Sequence, residues 1–212
     1  MLEELKEANE YIISKIKEND ELILEMEKYA REYNVPIVTK EVAEYLKFIV
    51  KSNVIKNILE VGTAIGYSGI LMAKEIKKNG GKLYTIEIDE ERYNLAQENF
   101  KKSGLNNIVS IKGDAVEEIK KIDEKFDFVF IDASKGHYME FFEDFEENRK
   151  YIKSIFKNCD DIVRGYLYKE YPKRFKTIVR RLNEFIEYLY SRDGGEFVLL
   201  PFGDGIGLFR KK

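Results

Sequence analysis

The stretch ILEVGTAIGYSGI, residues 58–70, runs from branched apolar residues through an acid into glycines at 62, 66 and 69. A strand-like segment, NILEV, hands over at Gly62 to a bend and, from Ser68, to a helical pattern. Gly62 permits a tight turn, and loop amides at the start of a helix can face a ligand. The dinucleotide pattern G-x-G-x-x-G is not met, because Ala64 stands where the backbone must approach a pyrophosphate closely. Glu60 points the same way: an acid beside the bend repels phosphate but can receive the amino group of an amino acid.

Outward from this bend, short apolar strands alternate with amphipathic helices. NILEV precedes a helix from Ser68 to Lys78, KLYTIEI one from Glu90 to Lys102, NIVSIK a short one near 115–121, and FDFVFID follows. Such alternation is the signature of βαβ units on a parallel sheet, whose ligands sit at the carboxyl ends of the strands. Upstream, residues 3–33 read as helical with a break at Asn19-Asp20, where Asp20 caps a second helix carrying Ile23, Met26 and Tyr29 or Ala30 inward. After Pro36, Thr39 is the expected cap of a helix whose Val42, Leu46, Ile49 and Val50 share one face. Downstream, a helix over 173–190 turns Phe175, Ile178, Val179, Leu182 and Phe185 or Ile186 inward, and FVLLPFGDGIGLF reads as a closing β-hairpin.

The strand ends carry acids in order. Glu87 ends the second strand, where an acid accepts the ribose hydroxyls of an adenosine, and Asp114 in KGDA could meet the adenine amino group. Together with Glu60 they suit S-adenosylmethionine. Asp132 ends the fourth strand, Lys135 follows it, and Asp160-Asp161 come later; converging carboxylates suit a hard cation such as Mg²⁺. Blander readings stand beside these, with Asp132 capping a helix, Asp160-Asp161 forming a turn and the sole histidine, His137, serving structure.

The chain has 212 residues, 44% apolar and 35% charged, which suits one packed domain with a charged surface. Abundant lysine, glutamate and isoleucine beside a single glutamine, Gln97, lean towards a heat-adapted source or an AT-rich genome. A net charge of -3 gives no global attraction for nucleic acid or anionic membrane. The single Cys159 allows no internal disulfide and no cysteine-rich zinc site. The N-terminus lacks the apolar core of a signal peptide, so a cytoplasmic location is expected.

Read together, PIVTKEVAEYL, ILEVGTAIGYSGI, TIEIDEERYNLA, GDA, FVFIDASKGHY, the RG of IVRGYLY, and PFGDGIGL resemble the cation-dependent class I O-methyltransferases, from about Asn34 onward. That family includes catechol and caffeoyl-CoA methyltransferases, and a compact bacterial branch that methylates 5-hydroxyuridine in the tRNA anticodon loop. The resemblance implies a Rossmann-like α/β fold with a mostly parallel seven-stranded sheet. It implies one domain over 1–212, with a helical cap at 1–50 and a core at 57–212. Val38, Glu60, Gly62, Ser68, Glu87, Asp114, Ala115 and Asp132 would hold S-adenosylmethionine. Asp132, Asp160 and Asp161 would hold Mg²⁺ or a similar divalent ion, Lys135 would be the base, and a homodimer is expected. Two departures stand out: the family usually has Asp-Asn where this chain has Asp160-Asp161, and KSIFKNCDD lacks the usual Gly-Gly turn, which implies a shortened or rebuilt fifth strand.

For the acceptor, GYLYKEYPKRFK interleaves Tyr166, Tyr168 and Tyr171 with Lys169, Lys173 and Arg174, a composition that can stack on bases and meet phosphates. tRNA is therefore the first expectation and a small catechol or caffeoyl-CoA-like vicinal diol the second. Two other classes remain: a nucleotide-dependent dehydrogenase, which has no use for Ala64 or for Asp132 with Lys135, and a noncatalytic S-adenosylmethionine-binding module.

Overall fold

A strand buried on both faces must be covered by helices on both sides. Ile58–Val61 are all buried within β1 (Asn57–Val61), as is every residue of β4 (Phe128–Ile131). A computed structural model gives the protein's structure for residues 2–17, 20–132, 137–148, 153–157, 176–200 and 205–212. Lys135, Cys159, Asp160, Asp161, Phe175 and the aromatic-basic segment 165–174 lie outside the described residues.

Before β1 come α1 (Leu2–Lys15), α2 (Glu21–Tyr33) and α3 (Lys40–Ser52). The core then alternates α4 (Tyr67–Lys77), β2 (Lys82–Glu87), α5 (Glu90–Ser103), β3 (Ile108–Lys112) and α6 (Ala115–Glu118) around β1 and β4. After β4 follow α7 (Tyr138–Asn148), β5 (Lys153–Lys157), α8 (Lys176–Tyr190), β6 (Gly195–Leu200) and β7 (Ile206–Lys211). One seven-stranded sheet has the order β3-β2-β1-β4-β5-β7-β6. β1 to β5 pair in parallel, and β7 enters antiparallel between β5 and β6, completing the expected hairpin.

Strand alternation divides the core into two layers. Ile58, Phe128 and Phe130 pack with Val42, Leu46 and Val50 of α3 and with Ile70, Ala73 and Ile76 of α4. Leu59, Val61, Val129 and Ile131 face Tyr138, Phe141 and Phe142 of α7 and Leu182, Phe185 and Leu189 of α8. Ile23, Met26 and Ala30 bring α2 onto the first layer, and Asp20 caps that helix by accepting from Ile23 N–H at 3.3 Å while its other oxygen pairs with Lys74 of α4. The cap therefore also ties α2 to the core.

Thr39 and the short helix near 115–121 stand where expected, with differences of detail, and the reading of the fifth strand needs correction. Thr39 starts α3 through its backbone, its carbonyl accepting from Ala43 N–H at 2.9 Å, while its hydroxyl makes no capping bond. The short helix after β3 ends at Glu118 and continues as a 3₁₀ turn over Ile119–Lys121. β5 is not shortened: it has five residues, as many as β1, in register with Phe128–Ile131 on one side and Ile206–Arg210 on the other. A strand flanked on both sides is held by main-chain hydrogen bonds, which do not require a continuous apolar run.

Gly66 precedes α4 at φ 86°, and a Cβ there would lie 2.6 Å from Phe100 Cε1. Gly66→Ala combines left-handed strain with a clash in the core and is expected to destabilise the fold by about 2 kcal/mol. A urea midpoint equal to wild type would contradict that.

Candidate active site

The sheet order reverses between β1 and β4, since β2 and β3 build outward on one side before the chain crosses to the other. In open α/β sheets ligands bind beyond the carboxyl ends of the strands at such a reversal. Val61 and Ile131 end the two strands side by side, and Asp132 N–H donates to the Val61 carbonyl at 2.9 Å. A cavity of about 430 Å³ opens there. Val61 of β1 with Gly62 just after it, Ile86 and Glu87 of β2 with Ile88 just after them, Arg92 of α5, Gly113 and Asp114 beyond β3, and Ala115 and Val116 of α6 line it. Asp132, His137 and Phe141 complete the described lining.

Three amides of the bend are already bonded within the fold, against the expectation that they face a ligand. Gly62 N–H donates to the Ile86 carbonyl at 3.0 Å, Gly66 N–H to Thr63 at 2.8 Å, and Ala64 N–H to Glu87 Oε2 at 2.8 Å. Ala64 reaches this bond at φ 47°, a conformation alanine adopts only under local compensation. With those three donors occupied and Glu87 beside them, the bend makes a poor cradle for an anion.

Glu87 is buried and also accepts from Asp89 N–H at 3.0 Å, yet each carboxylate oxygen has a second lone pair for a hydroxyl. Asp114 is exposed at the cavity, its Oδ1 capping α6 through Val116 N–H at 2.9 Å. These acids fit ribose hydroxyls and an exocyclic amine, and the apolar Ile88, Ala115 and Val116 fit the faces of a base.

Glu60 lies behind the cavity. It is 0% exposed, receives Ser68 Oγ at 2.5 Å and Thr85 Oγ1 at 2.6 Å, and the Thr85 hydroxyl is 2.6 Å from that of Thr63. Burial pushes its carboxyl up from 4.5 to about 7; the Ser68 and Thr85 bonds oppose that rise, and the charges of Asp132 and Glu87 add to it. Gly69 makes room for this acid, because a Cβ there would stand 2.8 Å from Glu60 Oε2. The third glycine therefore serves close helix-to-strand packing.

Of the expected site residues, Gly62, Glu87, Asp114, Ala115 and Asp132 meet at the cavity. Val38, Glu60 and Ser68 are buried and do not line it. Lys135, Asp160 and Asp161 are outside the described residues. Sequence reading missed Ile88, Arg92 and Phe141 and gave His137 little weight. Ile88 did leave a signal, an apolar residue just past a strand end and 67% exposed. His137 Nδ1 lies 2.7 Å from Glu140 Oε2, which orients its ring beside Phe141.

Among the described residues no three His, Cys, Asp or Glu side chains converge as an ion site. Asp132 alone of the expected ligands is placed, and its hard oxygens suit Mg²⁺ better than a soft metal.

A family model for O-methyltransferases matches residues 14–212. The chain belongs to the O-methyltransferase family. A catechol O-methyltransferase of Niastella koreensis is 34% identical over 143 residues, a match spanning 64% of each chain. Caffeoyl-CoA O-methyltransferase 2 of Populus trichocarpa is 26% identical, the match covering 84% of this chain and 76% of that one. In structure, an O-methyltransferase from Bacillus cereus in complex with SAH superimposes with a TM-score of 0.84 at 24% identity, each chain fully covered. This O-methyltransferase thus shares the fold of that complex, including the sheet whose reversal point carries the cavity. No helix among its described residues is long and apolar enough to cross a membrane.

Proposed function

We propose that the chain transfers the methyl group of S-adenosylmethionine to a hydroxyl oxygen that has a second oxygen as its neighbour, with 5-hydroxyuridine in the tRNA anticodon loop as the first acceptor. The observation that carries the reading is the cavity at the sheet reversal, where Glu87 and Asp114 suit an adenosine and Asp132 shares the same space. Occupied bend amides count against a pyrophosphate cofactor, and so against the dehydrogenase reading.

Transfer is an in-line displacement: the acceptor oxygen forms a bond to the methyl carbon as the carbon–sulfur bond breaks, leaving S-adenosylhomocysteine. Glu87 and Asp114 would hold the nucleoside, fixing the direction from which the methyl group meets the acceptor oxygen. Lys135, as the neutral amine that a neighbouring cation would favour, would take the hydroxyl proton as the oxygen attacks. A divalent ion held by Asp132 with Asp160 and Asp161 would supply positive charge that orients both acceptor oxygens and lowers the hydroxyl pKa.

The tRNA acceptor is supported by the interleaved aromatic and basic residues of 165–174. A small catechol is the second reading, favoured by the Niastella relative's name. Both present neighbouring oxygens. Nucleoside mass spectrometry of tRNA from a deletion strain is expected to show 5-methoxyuridine replaced by 5-hydroxyuridine. Unchanged 5-methoxyuridine, with methylation of catechol by the purified protein, would transfer the assignment to the small diol. Purified protein is expected to bind S-adenosylmethionine and not NADH.

A further inference from the structure

Glu27 lies on α2, yet the fold removes it from water, leaving it 4% exposed. Its two oxygens reach two other elements: the Tyr67 hydroxyl donates to Oε1 at 2.9 Å, and Lys40 Nζ stands 2.8 Å from Oε2. Arg31, one turn along the same helix, is 4.0 Å from Oε2. A carboxylate taken out of water is costly unless both oxygens are partnered, so this placement needs both contacts.

The partners occupy telling positions. Tyr67 is the first residue of α4, directly after Gly66 closes the bend, and its neighbour Ser68 donates to Glu60. Lys40 is the first residue of α3, two after the buried Val38. A cation at a helix N-terminus is opposed by the helix dipole, so Lys40 is accounted for by Glu27 rather than by α3. Each of the two misplaced charges explains the other.

We propose that Glu27 is a positioning residue for the cofactor: by gripping Tyr67 and Lys40 it clasps α4 and α3 to α2 and so fixes the glycine bend, whose Gly62 lines the cavity beside the adenosine acids Glu87 and Asp114, where the amino-acid end of S-adenosylmethionine would lie. This rests on the S-adenosylmethionine reading. Glu27 does not line the cavity; it acts through Tyr67 on the bend that carries Gly62.

Calorimetric titration tests it with two ligands, S-adenosylmethionine and methylthioadenosine, which lacks the amino-acid end. Glu27→Gln keeps the side chain's size and loses the charge pair; Tyr67→Phe removes only the phenol oxygen. Each is expected to weaken S-adenosylmethionine binding about tenfold while methylthioadenosine binds as to wild type. The double variant is expected to weaken binding further than either single one, because a glutamine oxygen can still accept from the Tyr67 hydroxyl and the two changes cut different contacts of one clasp. Should Glu27→Gln fail to fold, Tyr67→Phe carries the same comparison alone. Equal weakening of both ligands, or a lowered melting temperature with unchanged affinity for both, would make Glu27 merely structural and overturn the clasp. Wild type that binds neither ligand would overturn the cofactor reading itself, and the clasp with it.

Discussion

Alanine at Asp132 or Lys135 is expected to cut methyl transfer by about three orders of magnitude or more. Asp132 leaves β4 at the sheet reversal, its N–H bonded to the Val61 carbonyl at 2.9 Å, so its side chain is placed by two buried neighbouring strands rather than by a loose loop. It shares the cavity with Glu87 and Asp114, whose carboxylates suit the nucleoside end. Removing Asp132 takes away the cavity carboxylate at the end of β4, and with it the hard oxygens proposed to help hold a divalent ion. Removing Lys135 would take away the proposed proton acceptor but none of the cavity acids assigned to the adenosine, so Lys135→Ala is expected to bind S-adenosylmethionine normally. Single-turnover assays with labelled cofactor, paired with calorimetry, separate the two variants. Turnover by Lys135→Ala within tenfold of wild type would remove it as the base, and full activity in EDTA would remove the ion.

The order of elements was legible because each strand is a run of branched and aromatic residues closed by a turn and followed by helical spacing, from NILEV to FDFVFID. The acids at the cavity were legible for a related reason: a parallel sheet brings its strand ends together, so Glu87, Asp114 and Asp132 needed only to end their strands to become neighbours. Features set by main-chain pairing or by strand parity were harder to read. β5 forms because β4 and β7 flank it, which its own side chains do not announce. Glu60 was read as facing the bend, yet it follows Leu59 and precedes Val61, both turned towards α7 and α8, so alternation sends it to the α4 side. The bend amides were misread because their acceptors, Ile86, Glu87 and Thr63, lie on a neighbouring strand or across the bend itself. His137 and Phe141 reach the cavity from α7 and its entrance, where local sequence carries no register with the strand ends.

The same parity makes Glu60 a source of pH-dependent stability. In the unfolded chain its carboxyl ionises near its usual 4.5, whereas in the fold burial raises that to about 7, against the Ser68 and Thr85 bonds and with help from Asp132 and Glu87. Between those values the folded protein holds a proton that the unfolded chain has released. The group's contribution is therefore fully present below about pH 4.5 and is lost as pH rises through about 7, a difference of roughly 3 kcal/mol. Glu60→Gln is neutral throughout and keeps the network, since its amide can donate to Thr85 Oγ1 while that hydroxyl turns to Thr63 Oγ1. Urea unfolding of both proteins between pH 5 and pH 8 cancels every other titrating group. Wild type is expected to lose about 2.5 kcal/mol relative to Glu60→Gln across that interval, and a constant difference would mean Glu60 is ionised in the fold throughout. Ionisation also sets a third negative charge near Asp132 and Glu87, which favours a cationic ligand. S-adenosylmethionine is accordingly expected to bind wild type more tightly at pH 8 than at pH 6, and Glu60→Gln with no such gain.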